Sequence, residues 1–149
     1  MRRRHLLAVL PLAFAAGAAQ ASGGGGGEGG KESGGQYVDL SPVALPIVLN
    51  GRLINYVFVQ VRINLTPSAD APKIREKEPW FRDALVRAGH RTPFTKATDY
   101  TVVDEARMKA ALMREAGAIV PARNLLSVAL VSQTPKQRSR LPRPPAAAH

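Results

Sequence analysis

Of the three histidines, His5, His90 and His149, only His90 lies clear of the chain ends, and it stands in a stretch dense with functional residue types. Residues 78–95, EPWFRDALVRAGHRTPFT, also hold the single tryptophan, Trp80, together with Arg91, Thr92, Pro93 and Thr95. A histidine acting as a general base needs an orienting acceptor, and the nearest later carboxylates are Asp99 and Asp104. Two readings follow: a small hydrolase built on His90 with Asp99 or Asp104, or a structural turn made by His90, Thr92 and Pro93. The lack of an acidic residue in the same turn favours the second. Asp104 and Glu105 sit where a helix begins, and acidic residues there complement the helix dipole. Arg91 can satisfy the last carbonyls of a helix or present its fork to a partner carboxylate. No cysteine is present, which excludes disulfides, thiolate metal sites and cysteine nucleophiles. Histidines this scattered do not make a metal site. The glycine run at 22–35 has no preceding strand, following helix or Lys-Ser/Thr pair and is no phosphate cradle. No catalytic, cofactor-binding or metal site is therefore expected.

The elements that position these residues can be read from periodicity. Pro79 suits a first helical turn, and Phe81, Ala84, Leu85 and Ala88 recur at spacings of three and four, giving one apolar stripe. Gly89 reads as the stop of this helix, and Ile74 extends its stripe backwards. Trp80, rotated by about 100° from Phe81, falls at the margin of the stripe, where it either covers the core edge or anchors an interface. Upstream, Val43, Leu45, Ile47 and Leu49 alternate, Asn50-Gly51 suits a type I′ turn, and Val57 to Leu65 alternate strictly. This predicts a β-hairpin with Pro46 at an edge or bulge. Tyr56 and Phe58 fall on the face opposite the aliphatic one, either under a second layer or as an exposed patch for a partner. Thr101-Val102-Val103-Asp104 resembles a capping-box start, with Met108, Ala111, Leu112, Ala116 and Ile119 on one side of a second helix. Leu126, Val128 and Leu130 then predict a third strand, buried on both faces and central. The order β-β-α-α-β gives an α+β fold: a small, mainly antiparallel sheet with two helices on one face.

The ends differ in kind from this domain. Residues 1–21 carry a basic start, an apolar run of about fourteen residues against the roughly 20 needed to span a bilayer, and Ala19-Gln20-Ala21. This reads as an export signal, placing the protein in the periplasm, or anchoring it in the inner membrane if the signal is retained. Residues 22–35 read as a flexible tether, 36–133 as the folded domain, and 134–149 as a disordered basic, proline-rich tail. Lys136, Arg138, Arg140 and Arg143 in that tail suit weak contact with an anionic membrane surface. The whole chain carries +10, but residues 36–133 hold thirteen basic and nine acidic residues and no stripe of the kind duplex binding needs, which argues against nucleic acid as a partner.

Taken together, YVDLSPVALPIVLNGRLINYVFVQVRINL, EPWFRDALVRAGHRTPFT with its Arg82-Asp83-Ala84 step, and the helix from Asp104 leading into NLLSVALVSQ resemble the FliL family of flagellar basal-body-associated proteins, over residues 36–133. The resemblance implies a fold similar to the stomatin/SPFH domain, self-association into rings or partial rings, binding to stator or other motor components, and support of flagellar rotation and motility. It implies no catalysis and no cofactor. Members of that family keep an N-terminal transmembrane helix, whereas residues 1–21 read as cleavable, so a stomatin-like envelope scaffold without a motility role stands as the alternative. Trp80, Arg91, Tyr56 and Phe58 are the candidate interface residues.

Overall fold

The structure, a computed structural model, describes residues 35–145. The export signal and nearly all of the tether lie outside the described residues. Everything else is organised on one strand. β3 (Arg52–Leu65) alternates so that Asn55, Val57, Val59, Val61, Ile63 and Leu65 are buried while the residues between them face outwards. β2 (Val43–Leu49) joins it antiparallel through a two-residue turn in which Asn50 and Gly51 both take positive φ (49° and 74°), as a type I′ turn requires. β1 (Tyr37–Asp39) pairs with the far end of the same edge of β3, opposite residues 62–64. β6 (Leu125–Pro135) pairs with the other edge, from Val57↔Pro135 to Leu65↔Leu125. β3 is thus central, with β1 and β2 in tandem on one side and β6 on the other.

Among the described residues three α-helices accompany the sheet: α1 (Ala71–Arg75), α2 (Glu78–Arg91) and α3 (Glu105–Ile119). α2 buries Phe81, Ala84, Leu85 and Ala88, and α3 buries Met108, Ala111, Leu112 and Ala116, against the aliphatic face of β3. The α+β class and both helical stripes are as the periodicity predicts. Between α2 and α3 lies a second sheet, β4 (Thr95–Lys96) paired with β5 (Asp99–Val103). The Thr95 hydroxyl accepts from Val48 N (2.9 Å) and donates to Val48 O (3.0 Å), closing a stretch of the β2 edge without a ladder.

Four expectations are corrected. Gly89 does not end α2: the helix runs on to Arg91 with Thr92 as its C-cap. Its lack of a side chain serves packing, since a Cβ there would lie 2.9 Å from Leu45 Cδ2. His90 and Arg91 are accordingly helical, and the turn begins only at Thr92. Thr101 is not a helix cap but part of β5; the N-cap of α3 is Asp104, which accepts from Arg107 N at 3.1 Å. The closing strand is neither central nor buried on both faces. It carries bulges at Leu126 and Val131, the two residues skipped in the pairing of Asn64↔Ser127 with Leu65↔Leu125 and of Gln60↔Ser132 with Val61↔Leu130. Each bulge shifts the parity, so Leu125 and Val128 are buried while Leu126 is exposed.

The fourth correction concerns the segment from 134. Thr134 and Pro135 belong to β6, Lys136 N donates to Tyr56 O (2.8 Å), and Leu141 packs against the core. What holds it is Asn55, the one buried polar side chain among the described residues, only 4% exposed. Its Nδ2 donates to the carbonyls of Tyr100 and Gln137 (3.0 Å each), and its Oδ1 accepts from Tyr56 N (2.9 Å) and Gln137 N (3.1 Å). One amide thereby joins β3, β5 and the chain after β6.

Replacing Asn55 with Ala strands all four partners and is expected to cost about 2–3 kcal/mol in urea unfolding. The two helical glycines should diverge. Gly117→Ala, with nothing within 4 Å of the new Cβ, is expected to raise stability by about 0.5–1 kcal/mol, and Gly89→Ala to give no such gain because Leu45 must first move.

Candidate functional site

The four candidate interface residues occupy three different places. Tyr56 and Phe58 share the outer face of the sheet, which no helix among the described residues covers; Phe58 is 47% exposed and Tyr56 half-buried. Trp80 lies on the helical layer, in the first turn of α2, 55% exposed, with Lys77 Nζ 4.9 Å from its ring centroid. Arg91 is at the other end of α2, eleven residues and so about 16 Å along the axis. Its Nη2 donates to Glu115 Oε1 at 2.8 Å, tying α2 to α3. Sequence reasoning thus found exposed residues, and the fold spreads them over opposite layers.

The outer sheet face has two unlike halves. Towards β1, Arg62 makes a bidentate pair with Asp39 (Nε–Oδ1 2.7 Å, Nη2–Oδ2 3.2 Å) and lies 3.8 Å above the Tyr37 ring. That cluster is charge-balanced and held on three sides. Towards the turn, Phe58 stands between Ala44 of β2 and Thr134 of β6, and Tyr56 is followed by Lys136, whose Nζ is 5.9 Å from its ring centroid. Leu53, Leu126 and Val131 add exposed apolar surface on β3 and along β6. The sequence placed Leu126 wrongly, in a strand buried on both faces, and carried no clear signal for Leu53 and Val131, because bulges at or beside these residues break the alternation on which facing was judged.

Asp99 and Asp104 line one cleft of about 450 Å³, but His90 does not join them. His90 Nδ1 donates to Val86 O (2.9 Å), one turn back on its own helix. Asp99 accepts from Thr101 Oγ1 (2.6 Å) and Thr101 N (2.8 Å), and Asp104 is occupied in capping α3. The bonds from the Thr101 hydroxyl and backbone hold the Asp99 carboxyl below its ordinary range, making it a weaker base. Thr92 N donates to Ala88 O (2.9 Å), so Thr92 acts as a helix cap, with Pro93 directly after it. Among the described residues no group of three or more His, Asp or Glu is placed to hold a metal ion, and no helix is long and apolar enough to cross a membrane. Arg138, Arg140 and Arg143 do not leave the domain as a free strand: with Leu141 and Pro142 they line a cleft of about 290 Å³ against Asp99–Thr101.

No family model matches the chain, and no curated protein matches its sequence.

The apolar part of the open face is surplus to the fold. Phe58→Thr, which keeps a good strand former, is expected to change the unfolding free energy by less than about 1 kcal/mol, whereas Val59→Ala on the buried face should cost about 2–3 kcal/mol. Paired denaturant titrations check the contrast.

Proposed function

We propose that this chain is a non-enzymatic binding module of the bacterial envelope, acting like a FliL protein beside the flagellar stator or basal body and supporting rotation. The observation that carries this reading is the sheet face that no described element covers, where Tyr56 and Phe58 present aromatic surface. Aromatic side chains on a rigid sheet are well suited to anchoring a protein interface, since they offer large contact area at little conformational cost. The resemblance of the hairpin, the helix from Glu78 and the closing strand to the FliL family supplies the client. In this reading export places the domain in the periplasm, and copies of it associate around the motor.

The test is genetic and chemical together. Deleting the gene is expected to reduce spreading in soft agar and swimming in viscous medium. Complementation by the wild-type chain should restore both, and by a Tyr56→Ser/Phe58→Ser variant should not, although that variant accumulates to the same level. Cross-linking from position 58 should capture a stator component. Unchanged motility in the deletion strain would overturn the motor reading in favour of a general envelope scaffold.

A further inference from the structure

A half-open groove of about 570 Å³ runs between α2 and α3, and three guanidiniums, Arg91, Arg107 and Arg114, line it against a single carboxylate, Glu115. The carboxylate is shared: Glu115 Oε1 lies 2.8 Å from Arg91 Nη2 and 3.8 Å from Arg114 Nη2. Arg107 pairs with no carboxylate among the described residues, and its main-chain N–H is engaged at the Asp104 cap. Arg91 and Arg114 keep 65% and 73% of their side chains accessible, so their remaining N–H donors face the groove mouth or water. The groove therefore holds a cationic excess that the described residues leave unneutralised. Between the cations the lining is short: Ala88, Ala110 and Ala111.

We propose that this groove docks an acidic peptide segment of a partner protein, with carboxylates received by Arg107 and Arg114. The spacing selects that occupant. Arg107 is in the first turn of α3 and Arg114 stands seven residues on, so their stems leave the helix about 10 Å apart on one face. Two carboxylates two turns apart on a helix have the same separation, so each guanidinium can receive one of them. The alanine floor lets another backbone approach to the 8–10 Å of close helix packing. Guanidinium forks recognise carboxylates with two parallel bonds, which gives orientation as well as attraction. A nucleotide would need a stacking surface, and the one aromatic residue in the lining, Phe94, is buried. The groove lies on the helical layer, so this proposal does not rest on the role of the open sheet face.

The test uses the full chain and a fluorescein-labelled, alanine-rich helical peptide carrying glutamate pairs two turns apart. Fluorescence anisotropy should show saturable binding that weakens as salt rises. A peptide with glutamine in place of glutamate should not bind. Arg107→Ala and Arg114→Ala are each expected to weaken binding at least tenfold with unchanged thermal unfolding, while Arg138→Ala/Arg143→Ala leaves it unaltered. Absence of binding, equal binding of the glutamine peptide, or loss on changing Arg138 and Arg143 in place of Arg107 and Arg114 would each overturn the proposal. So would displacement of the peptide by equimolar inorganic phosphate, which would mark a small-anion site, or by phosphatidylglycerol vesicles, which would mark a membrane surface.

Discussion

Burial of the odd-numbered side chains of β3 is the constraint to which the other elements answer. Val57, Val59, Val61, Ile63 and Leu65 form one aliphatic face, and removing it from water stabilises the fold by about 10 kcal/mol in gross terms. The helices must lie on that face, so their apolar stripes can point only one way. β1, β2 and β6 are then fixed in register, because a slip of one residue would turn every inward side chain outwards. Gly89 belongs to the same constraint. With Leu45 Cδ2 2.9 Å from where a Cβ would stand, a side chain at this position of α2 would require Leu45 to shift.

That dependence explains which parts were legible in the sequence. Strict alternation over β3 and spacings of three and four in α2 and α3 are long patterns, and they reported both elements and facing, including the outward placement of Tyr56 and Phe58. β1 has three residues and β4 two, too few for any period to show. Thr101-Val102-Val103 could serve as a helix start or a strand by local preference, and only pairing with β4 decides for the strand. Gly89 looked like a stop because glycine commonly ends helices, yet here a contact with a residue far back in the chain overrode the local signal. Leu126 was misjudged because a bulge is a property of two strands, invisible in either one alone.

The division of labour between the two layers is equally a matter of what each face must do for the fold. Helical residues that pack are apolar, which leaves the arginines of α2 and α3 outside the core, and three of them, Arg91, Arg107 and Arg114, line one groove between the two helices. On the sheet, the half nearest β1 spends its charges on Arg62 and Asp39, with Tyr37 stacked beneath, and the half nearest the turn keeps aromatic surface. One domain thus offers a cationic surface and an apolar one on different sides. Partners of unlike chemistry can be recognised without competing for the same residues.

The amide of Asn55 gives the end of the chain a different character from that of a loose polymer. With Gln137 clasped on both its N–H and its C=O, the cations at Arg138, Arg140 and Arg143 hang on a leash of one to six residues from a fixed point. Their effective concentration near β5 is therefore high. Any surface the arginines touch meets them in one orientation relative to the sheet, so contact through them would also set the direction in which Tyr56 and Phe58 look.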